Sequence, residues 1–309
     1  MLRSPHLATG LTLAVLGSIA FSGKAIIVKL AYRYGVDAVT LIMYRMLFAL
    51  PLFLALLWWV NHRPGLKKKP EPLTRSDWLG VFGLGFSGYY LASFLDFWGL
   101  QYISAGLERL ILYLNPTLVL LLGWVLYRHR VTGWQVAAMA VSYGGVLLVF
   151  GHEAGQQGPQ AWRGAALVLA SGLSYAIYLV YSGELVKRLG SLRLVGLAST
   201  VACLLCIAQF LILRPLAEAA VAPEVIGLSV LNAVLCTFAP ILMLMMAIER
   251  IGAGLAAQVG MLGPMSTIVM GVFILGEPFN GWIIAGTALV LSGVYLVTRS
   301  GATPKRTGD

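Results

Sequence analysis

The chain has 309 residues, of which 59% are hydrophobic and only 11% charged, with a mean hydropathy of +0.84. Soluble domains carry about 25% charged residues, so this balance excludes a soluble globular protein and points to a polytopic membrane protein. The net charge of +10 does not mark a nucleic-acid partner, because no soluble domain offers a face to carry it; cytoplasmic loops are where such an excess belongs.

A membrane-crossing helix needs about 20 apolar residues. The first run, Leu7–Tyr32, contains Lys24 and Lys29 and follows a lone Arg3 without a persuasive cleavage site, so it is expected to be a retained span. The second, Ala38–Val60, contains Arg45. Runs free of Asp, Glu, Lys and Arg follow at Trp78–Leu95, Leu110–Tyr127, Val131–Gly151, Gly164–Gly183, Leu194–Leu213, Val225–Ile248, Ile251–Gly276 and Phe279–Thr298. That makes ten spans. Gly151–Arg163, rich in Gly and Gln, reads as an exposed loop.

The segment Tyr102–Pro116 recurs at Arg250–Pro264 with a constant offset of 148 residues, and the match runs without a gap to Val149 and Val297. Ala105/Ala253, Gly106/Gly254, Pro116/Pro264, the pair Gly133-Trp134/Gly281-Trp282 and Gly145-Val146/Gly293-Val294 are identical. Two Gly-Trp pairs and two prolines rarely align by chance, so the chain is an internal duplication. Residues 1–150 form the first repeat, 151–163 the connecting loop, 164–300 the second repeat and 301–309 a tail.

With the N-terminus in the cytoplasm, the inner connections hold fifteen Lys and Arg residues, including the Lys67–Lys69 run, and the outer ones only Arg33, Arg163 and Arg214. This bias predicts that both termini are cytoplasmic. Five spans per repeat is odd, so the second repeat enters from the opposite side: the halves are inverted copies, as in many alternating-access transporters. The turn Tyr127-Arg128-His129-Arg130 corresponds to Leu275-Gly276-Glu277-Pro278, trading basic for acidic as opposite membrane faces demand.

These features together resemble the EamA-type transporters of the drug/metabolite transporter superfamily over nearly the whole chain. Besides the ten-span layout, the resemblance is carried by Lys29, by Tyr44-Arg45-Met46-Leu47, by Ser-Ala-Gly…Asn-Pro and Gly-Ala-Gly…Gly-Pro in spans 4 and 9, and by Leu275-Gly276-Glu277 before Gly281-Trp282. It implies an all-α, multi-pass protein of a bacterial-type inner membrane, a secondary transporter with a central cavity between the repeats. Export is the direction it implies, with no particular substrate. His129 departs from the pattern, standing where the family has the glutamate seen at Glu277, which favours a turn-capping or topological role for that residue.

Five ionisable residues fall inside the spans, away from their ends: Lys24, Arg45, Asp96, Glu108 and Arg109. At about 1.5 Å per residue all five lie in one layer, the outer third of the membrane. Each would cost about 2.5–3.5 kcal/mol at the bilayer centre, so they must face a wet cavity, pair with one another, or both. Neighbours on a helix diverge by about 100°, so Glu108 and Arg109 are expected to look to other spans. The preferred pairings are Arg109 with Asp96, and Glu108 with Lys24 or Arg45. On the offset, Asp96, Glu108 and Arg109 correspond to Leu244, Ala256 and Ala257, so the layer is charged in one repeat only. Three cations against two anions suit a carboxylate on the substrate. A purely structural ion-pair network is the alternative. Protons are a candidate coupling ion through the two carboxylates.

Tyr113, Asn115, Tyr178 and Gln258 complete the candidate substrate site. Ser171, Ser174 and Tyr178, with Tyr181 or Ser182, make a hydroxyl face on span 6, and Gln258, Met261 and Met265 a stripe on span 9. Hydroxyls in spans also serve simply to bond neighbouring helices. Tyr89, Tyr90, Phe94, Phe97 and Trp98 crowd span 3; an interfacial belt accounts for Phe97 and Trp98 more cheaply than a cation cage. Ala140-x-x-x-Gly144 and Gly281-x-x-x-Ala285 offer close packing of spans 5 and 10, as scaffold or homodimer surface.

No enzyme class fits well. There is no Walker A sequence, and His6, His62, His129 and His152 fall in termini or loops, leaving Ser174 without an intramembrane base. Cys203-x-x-Cys206 sits in an apolar run with Cys236 elsewhere, so packed thiols are expected rather than a metal or redox centre, and no cofactor is called for. Drug export, of hydrophobic or cationic compounds, is the alternative within transport; a membrane enzyme or sensor is the alternative outside it.

Overall fold

A computed structural model describes residues 5–62, 72–128, 132–260 and 262–301. The Lys67–Lys69 run, Met261 and the 302–309 tail lie outside them, as does the side chain of Gln258. The described residues are helical throughout their length apart from turns: α1 (Pro5–Tyr32), α2 (Ala38–His62), α3 (Arg75–Leu84), α4 (Ala92–Gly99), α5 (Ala105–Leu112), α6 (Asn115–Tyr127), α7 (Gly133–Gln157), α8 (Ala161–Leu189), α9 (Ser191–Leu213), α10 (Pro223–Ala233), α11 (Ala239–Gly260), α12 (Gly263–Met270) and α13 (Gly281–Gly301). Among the described residues, eight helical stretches are long and apolar enough to cross a membrane, and the shorter apolar stretches Met265–Leu275 and Gly281–Leu296 stand where the ninth and tenth spans are expected.

Local chemistry sets the ends. Asp37 accepts the first amides of α2, from Val39 and Thr40. Thr74 with Asp77 and Thr132 with Gln135 form reciprocal caps on α3 and α7. Gly190, at φ 80°, ends α8. Span 4 starts at Ala105 rather than at the charge-free Leu110, and its first turns are wholly buried in protein, which lets Glu108 and Arg109 enter the helix. The span breaks at Tyr113–Leu114, just before Asn115-Pro116, and Gly263-Pro264 opens α12 in the equivalent place. The 151–163 segment, expected as a loop, is helical at both ends, with α7 reaching Gln157 and α8 starting at Ala161. Its apolar periodicity fades before its helix does. His62 and His152 accordingly sit on helices, and His152 stacks on Trp282.

The duplication is visible in the packing. The main helix contacts pair α1 with α11, α4 with α8, α2 with α9, and α7 with α13. A Cβ added at Gly145 would stand 2.7 Å from the Gly286 carbonyl oxygen, and one at Gly293 would stand 2.5 Å from that of Ala138. Shifted by 148, the first contact becomes the second with its partners exchanged. Residue numbers rise along α7 as they fall along α13, so the two helices run antiparallel: the halves are inverted copies. The close approach uses Gly145, Gly286 and Gly293, whereas Gly144 and Gly281 face open space. The small-residue pattern therefore lies one register away from the expected one on α7.

Span 3 passes through a π-helical segment at Gly85–Leu91 and span 8 through another at Val234–Phe238, which overlap on the same offset. Arg128 and Gly276, also equivalent, both adopt left-handed backbone, at φ 53° and 72°. Gly10 lies against Ile251, Gly17 against Met243, and Ser22 donates to the Gly263 carbonyl. The chain therefore doubles back along α1 between 251 and 263. We call the end at which α1 starts the N-terminal face, and the end at which it finishes the far face.

Candidate functional site

A cavity of about 640 Å³ lies between the halves. Its wall includes Lys24 on α1, Arg45 on α2, Asp96 on α4, Arg109 on α5, Tyr113 and Asn115 at the span-4 break, and Tyr178 on α8. Seven of the nine expected site residues thus meet around one void. Glu108 does not line it: the side chain is fully buried, one layer behind the wall. Gln258 lies outside the described side chains.

The charged residues form a chain. Lys24 Nζ lies 2.5 Å from Asp96 Oδ2 and 3.5 Å from Glu108 Oε1. Arg109 Nε lies 3.9 Å from Glu108 Oε2. The expected Arg109–Asp96 pair is not made, because Lys24 reaches Asp96 first. Of the two partners expected for Glu108, Lys24 is the one present. Glu108 and Arg109 do approach each other although adjacent on the helix, since both long side chains bend toward α1. Among the described residues, neither oxygen of Glu108 accepts a hydrogen bond, and Asp96 Oδ1 also lacks a donor. Asp96 is thus hydrogen-bonded by Lys24, whereas Glu108 is compensated by charge proximity alone.

Each arginine is held from the other half through its Nε. Arg45 donates to Thr237 Oγ1 at 2.9 Å, and Arg109 donates to Thr267 Oγ1 at 3.2 Å. Thr237 sits in the π segment of span 8 and itself donates to the Asn232 carbonyl, a five-residue reach that the π geometry provides. Arg45 lies over the Phe97 ring at 5.1 Å, and Arg109 and Lys24 over Phe21 at 5.5 and 5.7 Å. Phe97 is fully buried, so it belongs beneath the arginine rather than to an interfacial belt. No carboxylate comes within 4 Å of Arg45 among the described residues, and its Nη1 has no hydrogen-bond partner. The surplus positive charge is therefore located on Arg45.

The opposite wall is aromatic and hydroxylic. Tyr89 and Tyr178 meet hydroxyl to hydroxyl at 3.2 Å, and Tyr175 stacks on Tyr178. Ser171 and Ser174 donate to the carbonyls of Ala92 and Ser87, so these hydroxyls fasten span 6 to span 3. A Cβ at Gly88 would overlap the Tyr178 ring, so this glycine is what brings the two spans together. Asn115 Oδ1 is buried beside the cavity without a donor among the described residues.

The far side of the charged layer is sealed. Val28, Leu100, Ala105 and Leu107 are fully buried there. Lys29 donates to the carbonyls of Leu100 and Ile103, and Arg33 donates to that of Leu275. Glu277 accepts from the Ala105 amide at 2.8 Å and the Gly106 amide at 3.3 Å. Its capping role is real, but it caps a helix of the other repeat. From the charged layer the cavity extends toward the N-terminal face, past Ser18, Gly17 and Met245.

Thr237, Thr267 and Phe21 were not among the expected site residues. A threonine or phenylalanine in an apolar run carries no charge to flag it. The π segment that aims Thr237 leaves no mark in periodicity.

Known proteins agree with this architecture. A solved crystal structure superimposes with a TM-score of 0.63, covering 98% of this chain and all of the other at 17% identity, which bears on the fold alone. The chain is 32% identical over 281 residues to the uncharacterized transporter YcbK of Bacillus subtilis (strain 168), covering 87% of this chain and 86% of that protein. It is 23% identical to an uncharacterized transporter of Archaeoglobus fulgidus, over 95% of this chain and 96% of the relative. The EamA-like transporter family matches twice, over residues 8–151 and 162–299. The chain is a multi-pass membrane transporter and belongs to the EamA-like transporter family.

Proposed function

We propose that the protein is a secondary-active carrier that moves a small, carboxylate-bearing metabolite, such as an amino-acid-like compound, by alternating access. The proposed direction is export, with the N-terminal face in the cytoplasm as the charge bias of the connections argues. The observation that carries the reading is Arg45: a buried guanidinium at the cavity wall, with no acidic partner and no hydrogen bond to its Nη1 among the described residues. A guanidinium presents donors in a planar fork that fits a carboxylate, so a bound anion would complete the charge balance of the layer. Asp96 and Glu108 are the groups through which a proton gradient would be coupled to transport.

A thermal-shift screen of the purified protein against a panel of amino and hydroxy acids tests this. A compound that raises the melting temperature of the wild type should fail to do so for Arg45→Gln. The aromatic wall of Tyr89, Tyr175 and Tyr178 favours a second reading, export of hydrophobic or cationic drugs. Under that reading, Arg45→Gln retains or improves the response to cationic compounds, and carboxylates give none.

A further inference from the structure

We propose that Glu277 is the latch of the far-face gate, and that the gate is latched on one side only. The proposal rests on the alternating-access reading above.

Helix α5 is eight residues long and is cut from α6 at Tyr113–Leu114. It carries Glu108 in its first turn and Arg109 in its last, and its first amides, Ala105 and Gly106, are bound by Glu277. One short lever therefore joins the charged layer to a carboxylate of the other half. The turn that bears Glu277 is shaped to aim it. Gly276 takes left-handed backbone at φ 72°, the Glu277 amide folds back to the Gly271 carbonyl, and a Cβ at Gly271 would stand 2.8 Å from Glu277 Oε2. Beyond the latch, Lys29, Arg33, Gln101, Tyr102 and Glu277 line a separate pocket of about 750 Å³ on the far face. For the two voids to join, the Glu277 carboxylate must leave the end of α5.

The duplication supplies the asymmetry. Ala253-Gly254 repeats the Ala105-Gly106 pair in sequence, but it lies inside α11 rather than at a helix start, and position 129, equivalent to Glu277, is His. Among the described residues, the open helix start and the carboxylate that binds it come together only at the far face. An anion at a helix N-terminus is favoured by the unpaired amides and the helix dipole, and a histidine does not supply one. The resting protein should therefore be closed at the far face and exchange its cavity with the N-terminal face.

The test needs no transported compound. Ser93 lines the cavity and lies outside both the charged cluster and the latch. Ser93→Cys, in right-side-out and inside-out membrane vesicles, is treated with a membrane-impermeant maleimide. The protein without Ser93→Cys, whose three cysteines are buried, gives the background. Labelling should be faster from the N-terminal face by about five-fold or more, and Glu277→Gln should raise the far-face rate by a similar factor. If labelling proceeds from the N-terminal face and Glu277→Gln changes the rate at neither face, the latch is overturned but not the carrier. If Glu277→Gln fails to reach the membrane, Glu277→Asp decides: the shortened carboxylate should raise the far-face rate, and an unchanged rate overturns the proposal. If the thiol introduced by Ser93→Cys labels from neither face in any variant, the carrier reading falls and the latch with it.

Discussion

Asp96 and Glu108 share one lysine. Removing one partner from a buried ion pair leaves the other charge uncompensated, so Lys24→Met should cost about 3–5 kcal/mol of stability, read from thermal melts in detergent. Adding Asp96→Asn to that variant should recover part of the loss, because one stranded charge goes with it. Thr237 is a smaller element of the same site. Thr237→Val removes the acceptor of the Arg45 Nε and should cost about 1.5–3 kcal/mol, whereas Thr237→Ser, which keeps the hydroxyl, should cost much less. The residues that could be read from the sequence were those whose presence in an apolar run needs a reason: Lys24, Arg45, Asp96, Glu108 and Arg109. Their pairing could not be read, because it depends on how each helix is rotated about its axis. Lys24 reaching both carboxylates, and Arg109 turning to Thr267, are settled by the packing of α1 against α5 and α12.

At the scale of helices, glycine position decides how closely two spans approach. Gly145 meets Gly286 and Leu289 at contact distances that leave no room for a side chain, while Gly144 faces open space. Gly145→Val should therefore lower stability by about 1–3 kcal/mol through overpacking, and Gly144→Ala should change it little, as chemical or thermal unfolding of the two variants will show. The equivalent turns after α6 and after the Gly271–Leu275 π segment share left-handed backbone but not residue type. Arg128 bears the strain that glycine avoids at 276. Arg128→Gly should accordingly be neutral or stabilise by up to about 1–2 kcal/mol in the same unfolding assay. The 148-residue offset makes the inverted arrangement and the paired proline positions legible in the sequence. The π segments are not, since one extra residue in a turn barely disturbs an apolar run. The glycine contact missed its register because several glycines cluster there and composition alone does not say which one faces its partner.

The molecule as a whole joins two inverted halves that share their pairing of helices and differ sharply in chemistry. α7 against α13 and α2 against α9 join like to like, whereas α1 against α11 and α4 against α8 exchange partners across the pseudo-two-fold. The first half supplies the lysine, the arginines and the carboxylates, and the second supplies the threonines that orient the arginines. Such a site lies on the interface that must rearrange if the halves rock, which is where a carrier needs its substrate. In the proposed carrier, Arg45 receives a substrate carboxylate within the cavity. Counterflow in proteoliposomes of the pure protein tests this most directly, using a radiolabelled carboxylate that shifts the wild-type melting temperature. The wild type should concentrate the label transiently against unlabelled compound, and Arg45→Gln should lose at least about 90% of that uptake, a tenfold effect or about 1.4 kcal/mol. Undiminished counterflow by correctly folded Arg45→Gln would contradict the account.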